Sequence, residues 1–403
     1  MSGIGWTVQH AYQGSEFFRL KLEEAGVDPR TVHTTDDLAR LPLTTKQELR
    51  DAHPFGWTCV PLHDVVRVHA STGTTGRRVV ATYTAQDVAD WADMFARCFE
   101  YAGVTREDRV QVTPGYGLWT AGTGFQAGVE RAGAMAVPAG PAGLDVQFEL
   151  MLDLRSTVLC ATSSFGLLIA EEAHRRKLVD RLALRVGVLG SERRGQAMRR
   201  RIESLLGIET FDIYGFTELY GPGTGIDCPA HEGIHYWDDY YVVEVIDPAT
   251  GALVPPGAEG ELVVTTLRKQ AQPLVRYRTH DLSRLIPEPC ACGSPYPRID
   301  RITGRSDDMF KVRRVPVFPA QIDLVLSELR GLSSEYQVVL TRDGGRDRFL
   351  VRVELEGEDA AGLRERCVEA LRSRLGVRPE VELVAFGSLP RTERKTRRVI
   401  DER

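Results

Sequence analysis

Apolar positions along the chain alternate between a helical and a strand period. In TAQDVADWADMFARCFEYAG (84–103) they recur every three or four residues, which predicts an amphipathic helix stopped at Gly103. AMRRRIESLLG (197–207) predicts a second, stopped at Gly207. The short runs VVRVHA (65–70), RRVVATYT (77–84), DRVQVTP (108–114), AMAVPAG (134–140), STVLCATSS (156–164) and ETFDIYG (209–215) predict strands. Strands alternating with helices predict a mainly parallel α/β sheet. The first 60 residues are polar and helical, with hydroxyl N-cap signals at Thr34–Thr35 and Thr44–Thr45.

After residue 232 the pattern changes. IHYWDDYYVVEVID, GELVVTT and PLVRYRTHDLSRLI are strand-like and are split by the turn-rich PATGALVPPGAEG, which predicts an antiparallel β subdomain over about 232–300. RITGRSDDMFKVRR (301–314) marks a boundary. Beyond it the order helix, strand, strand, helix, strand predicts a small α+β domain, with Leu363, Cys367 and Leu371 on one helix face and RDGGRD as a hairpin turn. The expected layout is therefore a large N-terminal domain over 1–304 and a C-terminal domain over 308–403.

Composition narrows the function. A chain of 403 residues suits two or three domains, and a net charge of −5 argues against a nucleic-acid binder. The N-terminus has no signal-peptide pattern, and no apolar run reaches the ~20 residues of a membrane span. Seven cysteines, an odd number, point to a reducing compartment with thiols as ligands or core residues, so a cytoplasmic location is expected.

Several short stretches carry chemistry. In STGTTGRR (71–78), Gly73 and Gly76 let backbone N–H groups face an anion, Ser71, Thr72, Thr74 and Thr75 add hydroxyls, and Arg77 adds charge. A plain turn between two strands accounts for it equally well. YGFTELYGPG (214–223) follows a strand, so it lies at a sheet edge where α/β ligands bind. There Tyr214 offers a stacking face, Thr217 a hydroxyl and Glu218 a carboxylate for Mg²⁺. YRTHD (277–281) presents Asp281, which suits a ribose diol. GRSDDMFK (304–311) has the composition of a hinge, and LPRTERKTRRVID (389–401) is a basic tail carrying Lys395.

Taken in this order, these stretches and GSE (190–192) resemble the adenylate-forming superfamily of acyl-CoA synthetases, adenylation domains and luciferases, with GRSDDMFKVRRVPVFPAQI closest to the phenylacetate-CoA ligase-like branch. The resemblance spans nearly the whole chain. It implies that ATP and a carboxylate give an acyl-adenylate and pyrophosphate, after which a thiol takes the acyl group. It further implies that residues 71–77 hold the outer phosphates of ATP, with Gly190, Ser191, Glu192, Asp212, Tyr214 and Gly215 around the adenine. Thr217 then touches a phosphate, Glu218 holds Mg²⁺, Asp281 and Arg305 bind the ribose side, Asp307 is the hinge, and Lys395 bridges the carboxylate and the α-phosphate. CoA is the first acceptor the resemblance implies. A carrier-protein thiol or an amine remains open, as does a non-catalytic nucleotide-binding protein.

The acid is expected against TPGYGLWTAGTGFQAG (113–128), with Tyr116, Trp119 and Phe125 as aromatic walls, Ile213 on the strand side, and Gly122, Gly124 and Gly128 leaving room for a flat ring. That favours a small aromatic carboxylic acid. CPAHEGIH (228–235) and CAC (290–292) offer a Cys₃His set for structural Zn²⁺: Cys228, Cys290 and Cys292 with His235, or His231 as the alternative. The other cysteines lie in apolar contexts. No nucleic-acid or membrane partner is expected, and a homodimer is left open.

Overall fold

The computed structural model describes residues 2–71, 77–192, 195–313, 315–343, 346–356, 362–389 and 398–403. The chain forms two compact units. The first comprises Met1–Ala161, Leu182–Ser191 and Phe211–Ile302; the second comprises Thr162–Arg181, Glu192–Thr210 and Thr303–Arg403.

A nine-stranded sheet organises the first unit. Arg109–Val112 pairs in parallel with Met135–Val137 on one side and Val158–Thr162 on the other. Val186–Gly190 and Glu209–Phe216 follow in spatial order. Beyond Glu209–Phe216 the sheet turns antiparallel, through Gly221–Asp227, Ile234–Tyr236, Arg298–Ile299 and Leu285–Ile286. Tyr241–Ile246, Gly260–Thr266 and Tyr277–Ser283 pair antiparallel in a separate sheet. The antiparallel segment expected over about 232–300 is therefore divided. Ile234–Tyr236, Leu285–Ile286 and Arg298–Ile299 extend the central sheet.

The helix Ala85–Tyr101 begins as its sequence predicts. Thr84 caps it, and Asp87 returns a bond to the cap backbone. It packs on Ala121–Ala132, burying Trp91, Phe95, Phe99 and Phe125. Gly124 and Gly128 make this approach close: a Cβ on Gly124 would lie 2.3 Å from the Trp91 ring, and one on Gly128 would lie 2.6 Å from Phe95 Cβ. A Cβ on Gly122 would meet the carbonyls of Pro114 and Gly115 at 2.8 Å. These glycines seat aromatic core and backbone rather than leave space for a ligand, which corrects the sequence expectation.

In the second unit, Glu380–Val384, Arg346–Leu355, Leu332–Asp343 and Val399–Asp401 form a four-stranded sheet. The helix Leu363–Leu375 buries Leu363, Cys367, Leu371 and Leu375 on one face, as its spacing predicts. The centre of the expected RDGGRD turn lies outside the described residues.

Candidate active site and metal centre

The strand Glu209–Phe216 delivers the expected nucleotide residues to the edge of the sheet. Gly215 sits at φ +149°, and a Cβ there would lie 2.1 Å from the Gly221 carbonyl, so the turn back into Gly221–Asp227 closes only with glycine. The turn between these strands carries Thr217, half-buried, and Glu218, which is 2 % exposed.

Tyr214 and Asp281, from different sheets, meet directly: the Tyr214 hydroxyl donates to Asp281 Oδ2 at 2.8 Å. Asp281 is also steadied locally, its N–H donating to Thr279 Oγ1 at 3.0 Å. The preceding His280 and, in the GSE turn, Ser191 both hold φ +65°, a left-handed conformation that non-glycine residues adopt sparingly and that clusters at functional sites. Gly190 ends its strand against Ile213, whose Cγ2 would lie 2.6 Å from a Cβ at that glycine. Glu192 is held by the Ser164 hydroxyl. Asp212 is half-buried, and its N–H donates to Asp227 at 2.6 Å.

Before and after the glycine-rich stretch, Ser71 N–H donates to the Val79 carbonyl at 2.9 Å, and Ser71 Oγ accepts from Val79 N–H at 3.0 Å. Arg77 is exposed. Thr72, Gly73, Thr74, Thr75 and Gly76, like Lys395, lie outside the described residues. Arg305 pairs with Asp307 at 2.9 Å.

Sequence reasoning missed Lys46. It opens a short helix capped by Thr45, and its ammonium reaches 3.0 Å from Glu218 Oε1. This is an ion-pair distance, and among the described residues Oε1 accepts no hydrogen bond. A buried carboxylate oxygen without a hydrogen bond suits a divalent cation. The only sequence signal for Lys46 was the Thr45 capping box, which reads as helix start and not as chemistry.

Of the expected acid walls, Tyr116 is 39 % exposed and Trp119 is half-buried on one loop. Phe125 is 1 % exposed, with its ring 4.8 Å from Phe95 and 6.4 Å from Phe99, and so belongs to the core.

At the far end of Gly221–Asp227, the donor atoms of Cys228, His235, Cys290 and Cys292 lie within 4.8 Å of one another. Cys228 Sγ and Cys290 Sγ are 3.6 Å apart, too far for a disulfide, and Cys292 Sγ is 3.4 Å from His235 Nε2. Tetrahedral Zn²⁺ with bonds of about 2.3 Å to sulfur and 2.0–2.1 Å to nitrogen places its ligands at roughly these separations. The Nδ1 of His235 donates to the Tyr296 carbonyl at 2.9 Å, which leaves Nε2 free for a metal. Burial lowers the pKa of this imidazole, and Arg298 adds to the effect. The residues present thus fit the ion. His231 turns instead to Asp227, 2.9 Å from its Oδ2, and drops out of the set because that bond points Nδ1 away from the thiols.

With this geometry in hand, similarity settles the family. Residues 21–267 match the AMP-binding enzyme family and residues 314–403 match the AMP-binding enzyme C-terminal domain. The chain belongs to the AMP-binding enzyme family. It is 40% identical over 410 residues to a phenylacetate-coenzyme A ligase of Escherichia coli, spanning 99% of this chain and 93% of that one. It is 38% identical to the enzyme of that name from Thermus thermophilus, over 98% and 94% of the two chains. Among solved structures, a 2-hydroxyisobutyryl-CoA ligase in the postadenylation state superposes with a TM-score of 0.90 at 31% identity, over 99% of this chain and 88% of that one. These findings bear out the phenylacetate-CoA ligase-like resemblance and the α/β class with its smaller C-terminal domain. The chain is an AMP-forming ligase that adenylates a carboxylic acid and passes the acyl group to CoA. Among the described residues, no helix is long and apolar enough to cross a membrane.

Proposed function

We propose that this ligase activates a small aryl or arylacetic acid in the cytoplasm, with CoA as the acceptor in preference to a carrier-protein thiol. The observation that carries the nucleotide reading is the bond between Tyr214 and Asp281 next to the Thr217–Glu218 turn. It joins a stacking face from one sheet to a diol acceptor from another, and the buried carboxylate of Glu218 follows Tyr214 by four residues. Tyr116 and Trp119 supply the aromatic surface for the acid. The free cysteines among the described residues suit a reducing compartment.

A carboxylate and a triphosphate repel each other, so the residues act by positioning and by charge stabilisation. Residues 71–77 cradle the outer phosphates. Asp281 and Arg305 orient the ribose, and Tyr214 and the 190–192 turn frame the adenine. Lys395 bridges the attacking carboxylate and the α-phosphate. Glu218, beside Thr217, would hold Mg²⁺, which would supply neutralisation of phosphate charge. Residues 1–304 and 308–403 form the two functional domains, with Asp307 as the pivot between half-reactions. Cys228, His235, Cys290 and Cys292 hold a structural Zn²⁺, a closed four-ligand set with no position left for substrate.

Thioester formation from ATP, Mg²⁺ and CoA, with matched phenylacetic, benzoic and short alkanoic acids, tests the reading. Aryl acids should exceed alkanoic acids by at least about 10-fold in kcat/KM, the scale of a few buried apolar groups. Equal or reversed preference removes the aromatic assignment. Lys395→Ala should lower acid-dependent pyrophosphate release by on the order of 10²–10³ while ATP still binds.

A further inference from the structure

Lys269 is fully buried, and the residues expected for the reaction do not include it. Its ammonium donates to the Glu218 carbonyl at 2.7 Å, and it lies 5.2 Å and 5.0 Å from the ring centroids of Tyr83 and Tyr220. Tyr83, also fully buried, donates its hydroxyl to the Tyr220 carbonyl at 2.6 Å and lies 3.3 Å from that of Thr217. The carbonyls of residues 217, 218 and 220 are thus gripped from below by side chains distant in sequence. The counter-charge is built in. Asp87, buried, accepts from the N–H groups of Thr84, Gln270 and Ala271 at 2.7–2.9 Å, and it raises the pKa of Lys269 along with Glu218. Burial nevertheless brings that pKa down to about 8.

Burying an ammonium is costly unless it is paired. A neutral donor would satisfy one carbonyl without that cost. A rigid cation under the turn does more, because it fixes the backbone from which Glu218 projects. The carboxylate can then trade its outer partner, Lys46, for another cation without the turn moving.

We propose that Lys269, with Tyr83, is a positioning residue for the Thr217–Glu218 turn and sets the divalent-cation requirement of adenylation. The proposal rests on the reading of Glu218 as the Mg²⁺ ligand. The test is acid-dependent pyrophosphate release titrated with Mg²⁺ at fixed ATP, for the full-length chain, with acid KM and melting temperature measured alongside. Lys269→Met should raise the half-saturating Mg²⁺ concentration about 10–100-fold, the usual scale for groups supporting a metal ligand, and leave acid KM within about 2-fold. Lys269→Gln, which keeps an N–H donor, should recover part of the loss. Tyr83→Phe should give the same signature more weakly, and it decides the matter if Lys269→Met does not fold.

A folded Lys269→Met or Tyr83→Phe with unchanged Mg²⁺ dependence overturns the proposal, as does a rise in acid KM matching the Mg²⁺ shift. Glu218→Gln separates the two readings. If it leaves the Mg²⁺ dependence at the wild-type value, the assignment of Glu218 fails. If it shifts that dependence and the Lys269 and Tyr83 variants do not, only the positioning role fails.

Discussion

One strand, Gly221–Asp227, links two sites of opposite character. At its start stands the Thr217–Glu218 turn; at its end, roughly 20 Å away, stands Cys228 with the rest of the thiol–imidazole set. The cysteine end is complete in itself: four donors already stand at metal-binding separations, and the Tyr296 carbonyl already orients the His235 ring. The glutamate end is assembled from afar. Its carboxylate pairs with Lys46, its backbone is held by Lys269 and Tyr83, and Asp281, proposed here for the nucleotide, comes from another sheet. A structural site can afford to be closed, whereas a chemical site must keep an exchangeable position.

Three changes probe that contrast. Glu218→Gln strikes the open end and should reduce acid-dependent pyrophosphate release by on the order of 10²–10³, as for the loss of one preorganised charge-stabilising group, with little change in melting temperature. A variant that melts several degrees lower and keeps its rate would show that this end is structural as well. Cys292→Ser, or exhaustive chelation, strikes the closed end. Purified protein should contain about one zinc per chain. Its loss should lower the melting temperature by several degrees, at roughly 2–4 °C per kcal/mol, while the rate of the remaining folded enzyme stays within about 2-fold. Metal-free wild-type protein with the same melting curve would dissolve the distinction.

His280→Gly is the mildest change. It relieves a φ of +65° next to Asp281 but gives the unfolded chain more freedom. Stability should rise by no more than about 1 kcal/mol, and the KM for ATP should stay within about 2-fold. A large rise in that KM would mean that the His280 side chain itself serves the nucleotide.

The contrast also governs what could be read from sequence. Helix starts at Thr34 and Thr45 were legible because caps are local, and the buried face of Leu363–Leu375 was legible because its period is local. That the three cysteines and a histidine would cluster was legible for a similar reason: their residue types are unusual, and the choice between His231 and His235 needed coordinates. Lys269 carried no signal, since a lysine in a polar stretch reads as surface until the contacts of Glu218, Tyr83 and Tyr220 are seen. Gly124 and Phe125 misled for a related reason. Small and aromatic residues on a helix suit a pocket or a tight helix crossing, and the difference lies in Trp91 and Phe95, about thirty residues away.

The most direct test of adenylation at the Tyr214–Asp281–Glu218 edge is exchange of labelled pyrophosphate into ATP, with and without an aryl acid, in wild type and Glu218→Gln. Exchange that requires the acid and collapses in the variant is the expected result. Exchange without any acid, release of phosphate in place of pyrophosphate, or undiminished exchange in Glu218→Gln would contradict the assignment.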